Sequence, residues 1–310
     1  MTDRIAIIGS GIVGQSWAIS FARGGFAVRL YDPADGVATA ARHDIAASLA
    51  DLARHDLLAG QTPATVLDRI AVAPSLPDAL QGVVHVQENA PERPDLKRAL
   101  FAELDAMAPP GAVLASSTSA LLPSSFAAGL PGAHRCLVAH PLNPPHLIPA
   151  VEVVPGPFTA PAAVDACCDT LRRAGQMPFR VGREVAGFVM NRLQGALLDE
   201  AMALVDQGIA TVEDIDIAMR DGLARRWAFM GPFETIDLNA PGGVQGFIER
   251  YGAAYAEIGS ARPNRPEWQG ALAGRVVAAR RAALPLDELS TRYAWRNAEL
   301  ARLARHFARE

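Results

Sequence analysis

His140 and Glu152, twelve positions apart, have the types and the settings for proton transfer. An imidazole exchanges a proton near neutral pH, and a secondary alcohol loses its hydroxyl proton to such a base as hydride leaves the carbon. His140 closes the apolar run CLVAH, which predicts a strand, and strand carboxyl ends are where an open α/β sheet forms its ligand crevice. Glu152 sits between Val151 and Val153 in a second such run, where an ionised carboxylate is costly unless paired. Pairing with His140 would fix the imidazole tautomer and stabilise the imidazolium. The alternatives are a core or turn histidine and an outward-facing edge glutamate. Of the other histidines, His43, His55 and His306 fall on polar helix-like stretches, His85 lies mid-strand, His134 is in a Gly/Pro turn and His146 is a candidate pocket neighbour.

A second constellation is Gly9-Ser-Gly11-Ile12-Val13-Gly14, between the strand-like IAII and the helix-like QSWAISFARGG. That context turns a weak motif into a dinucleotide fingerprint. Gly9 permits the tight turn, Gly11 lets backbone approach a pyrophosphate, Gly14 lets helix pack on strand, and the first N–H groups of the helix face the phosphate. Asp32 ends the next strand-like run, where a carboxylate accepts from a ribose diol and repels a 2′-phosphate. The expected cofactor is therefore NAD rather than NADP. Asp32 as a capping carboxylate before Pro33 is the local alternative.

The elements that must hold these residues follow from periodicity. Apolar runs at Ile5–Ile8, Val28–Tyr31, Val83–Val86, Val113–Ser116, Cys136–His140 and Val151–Val154 alternate with longer Ala/Leu-rich stretches, the pattern of a parallel sheet. Beyond Val181 the pattern becomes helical, at Asn191–Gln207, Val212–Asp221, Pro241–Ile258 and Pro266–Ala283. The expected fold is α/β, a Rossmann-type doubly wound sheet over residues 1–184 followed by an all-helical domain over residues 185–310.

With 310 residues, half of them hydrophobic, and a formal net charge of −4, the composition is that of an ordinary globular protein with no basic footprint for nucleic acid. No basic leader precedes the first strand and no apolar run is long enough to span a bilayer, so a cytoplasmic location is expected. Cys136, Cys167 and Cys168 have no metal-ligand spacing, and reduced, buried thiols and no metal are expected. Among 29 cationic side chains, Lys97 is the single lysine.

In order and spacing, the fingerprint, SSTSAL (Ser116–Leu121), HPLNPP (His140–Pro145) with VEVV, and AGFVMNRL (Ala186–Leu193) resemble the 3-hydroxyacyl-CoA dehydrogenase superfamily. HPLNPP, DGLARRWAFMGPFET and RYAWRNAELARLARH are similar to its lambda-crystallin and L-gulonate 3-dehydrogenase branch, and the likeness covers almost the whole chain.

The resemblance implies that Ser119 and Asn191 hydrogen-bond the substrate oxygen, that Asn143 helps position the nicotinamide, and that Glu92 and Lys97 contact the cofactor, the lysine near the nicotinamide ribose. Locally, Ser119 could be a turn residue, Asn143 an Asx-turn before Pro144, Asn191 a cap and Lys97 a solvated helix charge. Arg226 matches the gulonate-type pattern and could grip a substrate carboxylate, or be an ordinary surface arginine. The implied reaction is NAD-dependent oxidation of a free 3-hydroxy acid in an interdomain cleft. The alternatives are a short-chain 3-hydroxyacyl-CoA substrate and a non-catalytic, crystallin-like role. A lysine-dependent β-hydroxyacid mechanism is disfavoured, since no lysine follows Lys97. A homodimer formed through the helical domain is expected.

Overall fold

The computed structural model describes residues 2–260, 270–283 and 285–307. Eight strands form one sheet: β1 (Arg4–Ile8), β2 (Ala27–Tyr31), β3 (Ile70–Val72), β4 (Val83–Glu88), β5 (Val113–Ser116), β6 (Cys136–Pro141), β7 (Ala150–Pro155) and β8 (Met177–Arg180). Their order is β3-β2-β1-β4-β5-β6-β7-β8. The direction of winding reverses between β1 and β4, and a crevice opens there at the carboxyl ends of the strands.

Helices cover both faces, so the strands read as continuous apolar runs. Ile5 and Ile7 pack with Trp17, Phe21 and Leu49 on one face, while Ala6 and Ile8 pack with Phe101 and Leu104 on the other. The six expected strands are present. Two more, β3 and β8, escaped the sequence reading: one has three residues, and the other, MPFR, is half-exposed at the sheet edge.

The expectation of a parallel sheet needs one correction. β7 runs antiparallel to β6 and parallel to β8. The connection between β6 and β7 is only Leu142–Pro149, shorter than the dozen or so residues a parallel crossover requires.

The chain divides into two compact units, Met1–Asn191 with Arg292–Glu310, and Arg192–Thr291. Beyond the expected division at 184/185, the described residues 292–307 group with the sheet. Ala301, on the helix Leu289–Phe307, is buried in the core beside the helix Val37–Arg54, and Arg305 ion-pairs with Asp56 at 2.8 Å.

Among its described residues the second unit consists of helices joined by short turns, with no strand. The helix Val212–Ile217 opens on a Thr211/Asp214 capping box and runs into a π-helical turn, Ala218–Leu223, followed by Ala224–Trp227, Pro232–Asp237, Gly243–Ser260 and Gly270–Ala283. The first part of the expected helix Pro266–Ala283, up to residue 269, lies outside the described residues.

Candidate active site

The glycine loop joins β1 to the helix Ile12–Arg23. Gly9 has φ +90°, and a Cβ there would lie 3.0 Å from the Asn89 backbone. At Gly14 a Cβ would fall 2.0 Å from the Gly9 carbonyl oxygen. Gly11 differs, because no protein atom lies within 4 Å of its Cβ position. That open side fits a phosphate approaching the helix N-terminus at Ile12 and Val13, which no side chain caps.

A cavity of about 740 Å³ lies above this loop, lined by Gly9, Gly11, Asp32, Val37, Leu76 and Leu100 among others. Asp32 Oδ2 accepts from the Ser10 amide (2.9 Å) and hydroxyl (3.1 Å), and Oδ1 accepts from the Ala34 amide at 3.1 Å. The local capping role is thus real. A carboxylate accepts about four hydrogen bonds, which leaves capacity for a ribose hydroxyl.

At the end of β6, His140 is almost completely buried. Strand pairing sets Glu152 directly opposite, and His140 Nδ1 lies 3.3 Å from Glu152 Oε1. With Nδ1–H donating to the carboxylate, Nε2 is the nitrogen left to accept a proton.

Glu152 has no exposed surface. Its Oε2 accepts from the Val189 amide (2.7 Å) and its Oε1 from the Met190 amide (2.9 Å) at the start of the helix Met190–Asp206. Burial pushes the Glu152 carboxyl upward, but the His140 hydrogen bond and the two amides outweigh it and hold the group below its ordinary range. The next residue, Asn191, donates from Nδ2 to the Ser119 carbonyl oxygen at 2.8 Å. One hydrogen-bonded stretch therefore brings Ser119, Asn191, Glu152 and His140 together. Asn143 is exposed on the turn after His140.

Glu92 accepts from the Thr118 hydroxyl at 2.7 Å and from the Ser119 amide, so it braces the loop that carries Ser119. Lys97 is not a solvated helix charge. Only 1% exposed, its ammonium donates to both oxygens of buried Glu88 (3.0 and 2.7 Å) and to Ser116 Oγ (3.1 Å). Ser116 in turn donates to Glu88 Oε2 at 2.6 Å, and Glu88 Oε1 accepts from the Ala90 amide. Three protons directed at three oxygens suit a compact ammonium and not a planar guanidinium. That accounts for the chain's lone lysine.

A further network was not foreseen. Ser117 Oγ accepts from Trp17 Nε1 (3.0 Å) and Gln87 Nε2 (2.7 Å) and donates to Asn89 Oδ1 (2.7 Å). Gln87 Nε2 also reaches the carbonyl of Ala139, next to His140, at 3.2 Å. The signal was the polar run HVQEN at the end of an otherwise apolar strand. Buried His85 pairs with Gln87, and burial lowers its pKa to about 4.

His146 lines a separate cavity of about 350 Å³ with Leu52, His55 and Ala301. Burial, then Arg23, lowers its pKa to about 4. The three thiols are free and buried, and burial pushes Cys136 up to about 12 and Cys167 higher. In the second unit Arg226 is half-buried and donates to Asn239 Oδ1 at 3.5 Å. Among the described residues no cluster of His, Cys, Asp and Glu could hold a metal, and no helix is long and apolar enough to cross a membrane.

Residues 4–185 match the NAD binding domain of 3-hydroxyacyl-CoA dehydrogenase, and residues 187–278 match its C-terminal domain. The chain belongs to the 3-hydroxyacyl-CoA dehydrogenase family. The family match makes the crevice above the glycine loop part of an NAD-binding domain, and the open space at Gly11, the uncapped amides and Asp32 fit that cofactor.

Rabbit (Oryctolagus cuniculus) lambda-crystallin is 43% identical over 97% of this chain and 95% of its own length. L-carnitine dehydrogenase of Streptomyces griseus is 41% identical over 89% of this chain and 81% of its own. Among solved structures, a 5-formyl-3-hydroxy-2-methylpyridine 4-carboxylic acid 5-dehydrogenase, described as an NAD+-dependent dismutase, superposes with a TM-score of 0.84 at 27% identity, covering 98% of both chains.

Proposed function

We propose that this family member oxidises the 3-hydroxyl of a free 3-hydroxy acid of the L-gulonate type to the 3-keto acid, with His140 as general base. The buried His140–Glu152 pair carries this reading. Bound NAD supplies the carbon that accepts the hydride. His140 Nε2 takes the hydroxyl proton, while Glu152 holds Nδ1–H and stabilises the imidazolium.

Ser119 and Asn191 bind the substrate oxygen, Asn191 also tethering Ser119 through its carbonyl. Gly11, with the amides of Ile12 and Val13, receives the pyrophosphate in the loop that Gly9 and Gly14 shape, and Asp32 takes the ribose diol. Asn143 helps position the nicotinamide, and Glu92 and Lys97 contact the cofactor, Lys97 from its seat on Glu88. Replacing His140 by Gln should lower kcat by about 10²- to 10⁴-fold with little change in NADH affinity. An H140Q enzyme with wild-type turnover would refute the assignment.

Arg226 favours a free carboxylate over a thioester, because the guanidinium fork matches a carboxylate and a thioester has no charge there. One relative is named for L-carnitine, itself a free 3-hydroxy acid. The family description favours the alternative, a short-chain 3-hydroxyacyl-CoA. A screen of NADH formation with L-gulonate, 3-hydroxybutyrate, L-carnitine and 3-hydroxybutyryl-CoA separates them. We expect the highest kcat/KM with a free acid, and a raised KM for that acid in R226A. Turnover of the thioester alone would transfer the assignment to the acyl-CoA class, and no turnover with any of them would leave a crystallin-like role.

A further inference from the structure

Gly187 and Phe188 adopt consecutive left-handed conformations, with φ of +76° and +49°. Glycine occupies that region freely and phenylalanine does so at a cost. Among the described residues the other non-glycine positions with positive φ, Asp56 and Ala59, are exposed, whereas Phe188 has no exposed surface. The Phe188 amide donates to the Val185 carbonyl at 3.0 Å, closing a tight turn immediately before the helix Met190–Asp206.

That turn has two effects at one place. It aims the next two amides, Val189 and Met190, at the two oxygens of Glu152. It also lays the Phe188 ring against the His140 imidazole, with centroids 5.6 Å apart and planes inclined by 54°. A glycine at 188 would remove the backbone cost and keep the amides in place, so the side chain is what the strained conformation retains. Contact with the tilted ring opposes rotation of the imidazole and keeps Nδ1 on Glu152.

We infer that Phe188 is a positioning residue for His140, fixing the imidazole with its ring and the Glu152 carboxylate with its backbone turn. This rests on His140 being the base.

The test uses F188G, which tolerates the turn but lacks the ring, and F188L, which retains apolar bulk without the flat ring. H140Q is run beside them on the most active substrate of the screen above. Both Phe188 variants should lose about tenfold or more in kcat at saturating substrate, as expected for a misplaced catalytic group. The acid limb of kcat against pH should move by about half a unit or more, while the NADH Kd from fluorescence titration stays within about twofold.

Folded variants with wild-type kcat and acid limb would overturn the inference, as would a parallel loss of NADH affinity and turnover. If H140Q is inactive while F188G and F188L behave as wild type, only this inference falls. If H140Q is active, the base assignment falls with it. The backbone part is read from melting: F188G should melt above F188A, and the reverse order would remove the left-handed turn from the explanation.

Discussion

At the scale of single residues, Glu152 makes the site's chemistry measurable. Its folded-state pKa lies below the ordinary value of 4.5, because His140 and two amides outweigh the upward push of burial. A depressed carboxylate stabilises the fold fully above its unfolded pKa and progressively less as pH falls through the folded value. Urea midpoints between pH 7 and pH 4 should therefore fall more for wild type than for E152Q, and identical falls would mean the carboxylate is not held this way. E152Q should also lower kcat far more than it weakens NADH binding. The fingerprint glycines offer a sharper contrast. G14A places a methyl on the Gly9 carbonyl and should destabilise the fold, whereas G11A meets no protein atom and should melt near wild type while binding NADH weakly. Equal melting temperatures for the two would contradict the packing described. His140 and Glu152 were legible because a histidine at a strand end and a carboxylate inside a valine run are conspicuous. The partners of Lys97 were not, since sequence does not say which buried groups an ammonium will meet.

At the scale of elements, the Glu88–Lys97–Ser116 knot joins the end of β4, the helix Pro94–Met107 and the end of β5. Removing the ammonium leaves Glu88 buried and unpaired, so K97M should cost about 3–5 kcal/mol in urea unfolding. K97R should also destabilise, because the fork does not fit the slot. A K97M protein as stable as wild type would show that the ion pair is replaceable by packing. Six strands were readable from their apolar runs, but direction was not, because a run buried on both faces looks the same either way along a sheet. The eight-residue Leu142–Pro149 connection was the available clue to the antiparallel pair. β3 was too short and β8 too polar to stand out from loops.

For the whole molecule, the second unit leaves Phe229, Phe233, Leu238 and Ile209 each more than 60% exposed. Such apolar exposure suits a partner surface, and we propose a homodimer formed there. Light scattering should give twice the chain mass, and a constant monomer mass across dilution would exclude it. The fold should also weaken in mild acid. His85 is fully buried and titrates near 4 instead of 6.5. Below pH 6.5 the unfolded chain gains a proton that the folded one refuses, so stability should fall by about 1.4 kcal/mol per pH unit from this group until the folded value is reached. His146 acts in the same direction. A urea midpoint constant from pH 6.5 to 4.5 would contradict both assignments. The antiparallel pairing of β6 with β7 has a wider bearing. Because His140 and Glu152 face each other across two adjacent strands, their geometry is independent of the turn that separates them in sequence. A residue inserted in that turn should therefore leave the pair in place so long as the β6–β7 register is kept.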